Sequence, residues 1–223
     1  MTFDFVAPVY DWLARLVFGQ TLLTAQQAAW QPMRSGAGVL VLGGGTGAFL
    51  PVLLSQKRPC QLLYVEASVA MLNRARFAPD AGGVEFRHGT ETSLRPGESF
   101  DYILLPFVLD LYPPDDLRQR LLPRLLAALR PGGALIVTDF DRPQTAWQRG
   151  QLRLMIWFFR LTANIPVCTW TDWPQALRDA GLTEQHPRLF RQGQLRAGCW
   201  VRSGGAATPA TAVPTPAARR SGS

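Results

Sequence analysis

The sequence predicts one α/β domain with a mainly parallel β-sheet, and three observations support this class. Short apolar runs alternate along the chain with amphipathic helical patterns, which is the order of right-handed βαβ units. A glycine-rich segment directly follows the first apolar run. The 223 residues are 47% hydrophobic and 17% charged, which is enough to bury one core of ordinary size.

Helices and strands alternate regularly in the first part of the chain. The run Val39–Leu42 is wholly apolar and bounded by glycines, as in a strand buried on both faces. Ser68 precedes a helical pattern and is a suitable N-cap. In order, the predicted elements are helix 21–30, strand 39–42, helix 48–55, strand 61–65, helix 68–77, strand 84–88 and strand 101–105.

The second part of the chain begins with an amphipathic helix and ends with an antiparallel hairpin. Leucines at helical spacing predict a helix over 115–129, ended by the sequence RPGG at 130–133. A short glycine-containing turn between two strands predicts the hairpin. The remaining elements are strand 134–140, helix 147–163, helix 172–180, strand 187–190, turn 191–194 and strand 195–201.

The two ends of the chain differ from the alternating part. Residues 1–35 predict a helical cap, and residues 203–223 combine Gly, Ala, Pro, Ser and Thr without periodicity. Such a segment buries too little surface to offset its ordering entropy, so we expect a disordered tail. The folded domain is expected to span residues 1–202.

Charge and cysteine content disfavour several classes of protein. The net charge is +7, but the arginines are scattered, so a nucleic-acid partner is not favoured. Three distant cysteines and two histidines predict neither a zinc site nor a disulfide framework. Residues 35–56 are uncharged but contain six glycines and a proline, which favours a loop between buried elements over a transmembrane helix. A cytoplasmic location is expected.

The glycine-rich segment 43–47 (GGGTG) marks the expected ligand site. Ligands of open parallel sheets bind beyond the carboxyl ends of the strands, where glycines allow close approach of the backbone. Glu66 ends the second strand, nineteen residues after Gly47, and is suited to bind ribose hydroxyls. A nucleoside-containing cofactor is predicted. The glycine spacing fits the dinucleotide pattern G-x-G-x-x-A and the pattern G-x-G-x-G equally well.

Five segments of the chain carry a family resemblance. They are VLVLGGGTGAFLP (39–51), YVEASVAML (64–72), FRHGTETSL (86–94), FDYILLPFVLDLY (100–112) and LRPGGALIVTDF (129–140). In this order they resemble the class I S-adenosylmethionine-dependent methyltransferases. The segment DFVAPVYDWLARLVFG (4–19) is similar to the N-terminal helix of ubiquinone/menaquinone-biosynthesis and related small-molecule methyltransferases.

The resemblance covers about residues 3–202. It implies a Rossmann-like, doubly wound sheet of seven strands, S-adenosyl-L-methionine as the cofactor, and methyl transfer to a small molecule. By position, it implies contacts from the glycine segment to the methionine end and from Glu66 to the ribose. The implied cofactor-binding residues are Gly43, Gly44, Gly45, Thr46, Gly47, Glu66, Ala67, Met71, Gly89, Thr90, Glu91, Pro106 and Phe107.

Two positions depart from the family pattern. Leu42 stands where an acid often precedes the first glycine, and Thr90 stands where an aspartate usually accepts the adenine amino group. A hydroxyl is a weaker acceptor than a carboxylate. We therefore expect looser cofactor binding, or a substitute acceptor such as Glu91.

A hydroxyl acceptor would also need a base within hydrogen-bond reach. The candidates at strand ends are His88, Asp110, Tyr112 and Asp141, of which Asp110 is preferred. Asp110 is equally suited to a turn before Tyr112-Pro113-Pro114. Aromatic residues of the cap and of the segment after the fifth strand suit the core of a cap. Those that face a cavity instead would predict an apolar or aromatic acceptor, with Tyr10, Tyr112 and Trp157 as candidate lining residues.

Three other functions fit parts of the sequence. The pattern G-x-G-x-x-A with Glu66 also suits an NAD(P)-dependent oxidoreductase, although the terminal hairpin counts against it. The basic charge would suit an RNA methyltransferase. The departures at Leu42 and Thr90 would suit a module that binds S-adenosylmethionine without catalysis. No metal is expected.

Overall fold

A computed structural model describes residues 20–141 and 171–204. The predicted cap up to residue 19, the helix 147–163 and the tail from residue 205 lie outside the described residues. Tyr10 and Trp157 also lie outside them. The domain boundaries therefore stay a prediction. No helix in the described ranges is long and apolar enough to cross a membrane.

Seven strands and intervening helices make up the described fold. The strands are β1 (Gly38–Leu42), β2 (Gln61–Glu66), β3 (Val84–His88), β4 (Phe100–Pro106), β5 (Leu129–Phe140), β6 (Leu182–Phe190) and β7 (Leu195–Arg202). The helices are α1 (Thr21–Trp30), α2 (Leu50–Lys57), α3 (Val69–Arg76), α4 (Pro114–Asp116, Leu117–Leu121 and Leu122–Ala127, numbered together) and α5 (Trp173–Asp179).

The strands form one sheet in the order β3-β2-β1-β4-β5-β7-β6. Strands β1 to β5 pair in parallel, and β7 is antiparallel to both of its neighbours. The predicted mainly parallel sheet with an antiparallel C-terminal hairpin is confirmed. The strand order reverses at β1, since β2 lies on one side and β4 on the other. The crevice between β1 and β4 is thus the topological switch point, where ligands of such sheets bind.

Apolar side chains cover both faces of the sheet, which explains why β1 carries no polar residue. All five residues of β1 are buried. One face packs against α4 and α5 through Leu121 and Trp173, and the other packs against α1 and α2 through Trp30 and Leu53. With helices on both sides, the sheet exposes its carboxyl-end loops, and these loops form the site.

Three predicted elements differ from the structure in their bounds or in their geometry. The helix predicted over 115–129 contains a π-helical turn at Leu117–Leu121, directly before Pro123, whose ring lacks an N–H and clashes with a preceding carbonyl. The strand predicted from Ala134 begins at Leu129 and passes through an irregularity opposite β4. The strand predicted from Pro187 begins at Leu182, because β6 continues through a bulge between Gln185 and Arg188.

Candidate active site

The loops after β1 and β4 meet directly at the switch point. A Cβ atom added to Gly43 would lie 2.6 Å from Cγ2 of Val108, which follows β4. Gly43 has a φ of +68° and its amide donates to the carbonyl of Val65 at 2.8 Å. The first glycine therefore joins the end of β1, the end of β2 and the turn after β4 in close contact.

The other glycines of the segment leave one side open. A Cβ on Gly44 would overlap the buried ring of Tyr64, whereas a Cβ on Gly45 would meet only Sδ of Met71, at 3.9 Å. The Tyr64 hydroxyl donates to the carbonyl of Gly45 at 3.0 Å and holds this turn on the sheet. A Cβ on Gly47 would lie 3.0 Å from Ala75. The open approach to the backbone is therefore at Gly45.

Glu66 lies beside that open side. Its carboxylate accepts hydrogen bonds from the amides of Gly45 and Ser68, each at 2.9 Å, and the residue is 7% exposed. Burial raises the pKa of Glu66, and the two amides partly oppose that shift. The Ala67 amide also donates to this carboxylate, and since a carboxylate offers about four acceptor positions, one remains for a ligand. Glu66 thus both stabilises the glycine turn and presents an acceptor to the crevice.

The residues predicted to flank the adenine surround the end of β3. Gly89 donates its amide to the carbonyl of Glu66 at 3.0 Å, and Ala67 is hydrogen-bonded through its carbonyl to His88 Nε2 at 2.9 Å. Met71 lies in the first turn of α3 and faces Gly45. The Thr90 hydroxyl accepts weakly from the Thr92 amide, at 3.4 Å, and contacts the Thr92 hydroxyl at 3.0 Å.

Glu91, which follows Thr90, binds side chains of other elements. It is 1% exposed, with Oε2 accepting from the Tyr112 hydroxyl at 2.7 Å and Oε1 accepting from Arg120 Nε at 3.0 Å. Burial and the neighbouring Glu91 raise the pKa of Tyr112. These contacts join the loop after β3 to α4. They give the carboxylate of Glu91 and the hydroxyl of Tyr112 a structural role, and the expected roles of the two residues in adenine and acceptor binding stay predictions.

Tyr112→Phe tests this structural role. Removing the hydroxyl leaves a buried carboxylate oxygen without a donor, so we expect a loss of unfolding free energy of about 1–3 kcal/mol in urea titrations. We expect the affinity for S-adenosylhomocysteine to stay within about threefold, because the hydroxyl points at Glu91. Tyr102→Phe is the matched control, since its hydroxyl accepts from a neutral amide, that of Arg34, at 3.2 Å. Unchanged stability with strongly weakened binding would place Tyr112 at the ligand instead.

Asp139, at the end of β5, is a buried carboxylate that sequence reasoning missed. It is 0% exposed, and its Oδ2 accepts from the amides of Val108 at 3.1 Å and Leu109 at 2.7 Å. The amide of Asp110 lies farther from the same oxygen, at 3.4 Å, while Oδ1 accepts from the Phe140 amide at 2.7 Å. Asp139 therefore fixes the turn that carries Asp110.

Asp110 lies against Asp139. The two carboxyl groups are within hydrogen-bonding reach of each other, and burial raises the pKa of Asp110 to about 6. Burial, followed by the charge of Asp110, also raises the pKa of Asp139. Oδ1 of Asp110 is buried and has no hydrogen-bond partner among the described residues. Two buried carboxyl groups this close cannot both ionise readily at neutral pH.

The other candidate bases have partners. Asp141 accepts from Arg196 Nε at 2.6 Å, His88 contacts the Ala67 carbonyl, and Tyr112 donates to Glu91. Within residues 20–141 and 171–204, no cluster of His, Cys, Asp and Glu could hold a metal ion. Of the four candidates, only Asp110 has a buried oxygen without a hydrogen-bond partner among the described residues.

An apolar surface lies next to the carboxyl pair. Phe107 follows Pro106 at the end of β4 with a φ of +58°, and its amide donates to the Thr138 carbonyl at 2.7 Å. This left-handed backbone places its ring 5.5 Å from the ring of Phe140, in a cluster that also includes Leu195 and Leu22. An apolar group adjoining Asp110 would find aromatic contacts here.

Comparison with known proteins finds a matching family model, one similar curated protein and similar folds. A family model described as a methyltransferase domain matches residues 39–133. The carboxy-S-adenosyl-L-methionine synthase of Photobacterium profundum is 35% identical over 99 residues, which are 40% of this chain and 38% of that protein. This chain thus matches well under half the length of that relative.

Two solved structures share most of the fold. The chain bound to the Trm112 methyltransferase activator of Haloferax volcanii superposes with a TM-score of 0.68 at 19% identity, over 89% of this chain and 96% of that one. The mitomycin 7-O-methyltransferase MmcR superposes with a TM-score of 0.64 at 22% identity, over 91% of this chain and 61% of that one. At these identities the likeness describes the fold.

Proposed function

We propose that this chain is a class I S-adenosylmethionine-dependent methyltransferase and transfers a methyl group to a small, apolar or aromatic acceptor. The methyltransferase-domain match over residues 39–133 and the strand order of the sheet support this membership. The observation that carries the proposal is the crevice at the switch point. There the open side of Gly45 adjoins the Glu66 carboxylate, and the turn that carries Asp110 contacts Gly43 through Val108.

The residues of the crevice fit S-adenosyl-L-methionine, the cofactor of this domain. A ligand can approach the backbone at Gly45, where a Cβ would meet only Met71. Glu66 retains an acceptor position for a ribose hydroxyl, and Met71 supplies an apolar contact for a base. Leu42 and Thr90 supply no carboxylate at the methionine and adenine ends. The fit is therefore centred on the ribose, and we expect Glu66 to dominate the binding energy.

The protein's part in catalysis is chiefly positioning. The bound cofactor supplies an activated methyl group on a sulfonium. The glycine turn and Glu66 fix its orientation, while Phe107 and the turn after β4 align the acceptor. Alignment of this kind can contribute about 7–11 kcal/mol to lowering the barrier. The rings of Phe107 and Phe140 also exclude water from the reacting atoms.

The apolar cluster supports the acceptor class. Phe140 and Leu195 are buried, and Phe107 and Leu22 are partly buried around them. A flat apolar ring would gain burial and ring–ring contact against this surface. We expect the reaction to take place in the cytoplasm, where the free thiols of Cys60 and Cys199 would persist.

The experiment that tests this function is calorimetric titration of the full chain with S-adenosylhomocysteine, with NADH as the control ligand. Saturable binding of the first and no heat with the second is expected. A fresh sample of the protein is then supplied with S-adenosylmethionine and a set of phenols, quinols and aromatic amines. Methylated products are identified by mass spectrometry. Binding of NADH alone would instead support an oxidoreductase and overturn the proposal.

Two further outcomes separate the remaining alternatives. S-adenosylhomocysteine binding without product from any acceptor class would indicate a module that binds the cofactor without catalysis. Consumption of S-adenosylmethionine without S-adenosylhomocysteine would contradict methyl transfer. That result would point to a reaction on the cofactor itself, as the name of the Photobacterium profundum relative describes for that protein.

A further inference from the structure

The carboxyl groups of Asp110 and Asp139 form a pair that the proposed function has not yet used. Asp139 is completely buried at the end of β5, and Asp110 lies on the turn after β4 that Asp139 holds. The two residues are 29 positions apart in the sequence, and the parallel pairing of β4 with β5 brings them together. Adjacent buried carboxyl groups share a proton, because ionising both would place two like charges in a poorly hydrated site.

The hydrogen bonds around the two carboxyl groups differ. Asp139 accepts from the amides of Val108, Leu109 and Phe140, at 3.1, 2.7 and 2.7 Å. Amide donors favour the ionised form of a carboxyl group. Asp110 has no comparable set of donors, and its Oδ1 has no partner within the described part of the chain. Burial raises the pKa of both residues, so at neutral pH the pair holds one negative charge and one proton, which is shared between the facing oxygens of Asp110 and Asp139.

Other charged groups on the neighbouring elements are already paired. Arg196 of β7 stands opposite Asp139 in register, but its guanidinium binds Asp141 at 2.6 Å and Glu184 at 2.7 Å. Across α4, Arg120 binds Glu91 and Asp116. None of the ion pairs found in the described ranges includes Asp110 or Asp139. The pair thus titrates as a unit carrying one negative charge.

The pair is also placed against the cofactor crevice. Val108, whose amide Asp139 holds, makes the closest approach to Gly43. Phe107 and Phe140, the chain neighbours of this turn and of Asp139, form the apolar surface. The turn that carries Asp110 therefore joins the glycine segment to the apolar surface.

We propose that Asp110 and Asp139 form a two-carboxyl proton relay and that the acceptor is a hydroxyl compound of phenolic type. This inference rests on the proposed methyl transfer. As the acceptor oxygen bonds to the methyl carbon and the carbon–sulfur bond breaks, the hydroxyl proton passes to Oδ1 of Asp110. This transfer neutralises the single negative charge of the pair, and the proton that the two groups shared stays with Asp139. S-adenosylhomocysteine and the methyl ether leave, and the extra proton returns to water.

Asp139 is a positioning residue in this scheme, and Asp110 is the group that contacts substrate. A free amine acceptor would not need the relay, since its lone pair attacks directly. A phenol does need it, because its pKa lies near 10 and its neutral oxygen is a weak nucleophile. The relay therefore favours phenolic hydroxyls over amines.

The test uses Asp110→Asn, which keeps the shape of the side chain and donates a hydrogen bond to Asp139 permanently. A pair with raised folded-state pKa values loses stability as the pH rises through them, because the unfolded chain binds fewer protons there. We expect the melting temperature of the parent protein to fall between pH 4 and pH 8 relative to that of Asp110→Asn. The expected difference at pH 8 is about 5 °C, closing towards pH 4. Asp116→Asn, an exposed carboxylate on α4, is the control and should show no such difference.

Infrared spectroscopy gives a signature that a structural role alone would not produce. At neutral pH, the difference spectrum between the parent protein and Asp110→Asn should contain the band of a protonated carboxyl group. Asp110→Asn should bind S-adenosylhomocysteine within about threefold of the parent, while its methyl transfer to a phenol should fall at least about 100-fold.

Asp139→Asn separates the two carboxyl groups. This change removes one of the two oxygens that accept the amides, so we expect a lower melting temperature at every pH, opposite to Asp110→Asn. Equal pH profiles for the parent and Asp110→Asn, or no protonated-carboxyl band, would overturn the relay even if the protein binds S-adenosylhomocysteine. If the protein does not bind S-adenosylhomocysteine but the pH profiles are as expected, the proposed function is overturned, while the sharing of a proton by Asp110 and Asp139 is still supported.

Discussion

Glu66→Gln is expected to weaken the binding of S-adenosylhomocysteine by about 100-fold. A hydrogen bond to a charged acceptor contributes about 1.5–3 kcal/mol, and a neutral amide does not replace that contribution in full. The structure adds a second reason. The carboxylate accepts from the Gly45 and Ser68 amides. A glutamine would turn its NH₂ group towards one of these donors and loosen the glycine turn. Calorimetric titration measures the change.

The control for this prediction is Glu85→Gln. Glu85 lies on the adjacent strand β3, is largely exposed and binds Arg87, so its replacement should leave the affinity unchanged. Burial raises the pKa of Glu66, so protonation should weaken cofactor binding at a higher pH than for an ordinary glutamate. An affinity for Glu66→Gln within threefold of the parent would show that the ligand does not contact this carboxylate.

Gly43→Ala is expected to lower the unfolding free energy by about 3 kcal/mol. The left-handed backbone of residue 43, with φ at +68°, costs about 1–2 kcal/mol for a residue that has a Cβ. Overpacking adds about 1–3 kcal/mol, because the new atom would lie 2.6 Å from Val108. Val108 cannot easily move, since Asp139 accepts its amide. Urea unfolding followed by circular dichroism measures the loss.

Gly45→Ala is the matched comparison. Its φ of +64° imposes a similar backbone cost, but the added methyl meets only Met71, at 3.9 Å. We expect a loss of about 1–2 kcal/mol in stability, together with weaker S-adenosylhomocysteine binding, because the methyl occupies the open side of the turn. Adding Val108→Ala to Gly43→Ala should recover part of the lost stability. Equal losses for the two glycine variants, with no recovery, would contradict the close contact between residues 43 and 108.

The sequence alone was sufficient for those features that depend on local pattern. Val39–Leu42 is apolar throughout because a central parallel strand is buried on both faces, and the observed strand is Gly38–Leu42. Ser68 was predicted as an N-cap, and its hydroxyl accepts from the Met71 amide at 3.3 Å. The glycine turn and Glu66 stand at the ends of adjacent strands, so their spacing already predicted a nucleoside site.

Pairings between distant side chains needed the tertiary structure. Asp110 was recognised as a candidate from its place after β4, but nothing in its neighbourhood of sequence indicated Asp139. The two residues approach each other because β4 lies next to β5 in the sheet. The one feature of the sequence that could have indicated Asp139 is its place as an acid near the end of a buried strand. Glu91 resembled an adenine-edge residue by position, yet Tyr112 and Arg120 bind it from α4 and the preceding loop. Local sequence is enough to predict that a carboxyl group stands at the end of a strand. The partner, the burial and thus the protonation of a carboxyl group depend on contacts that exist only after the sheet has formed.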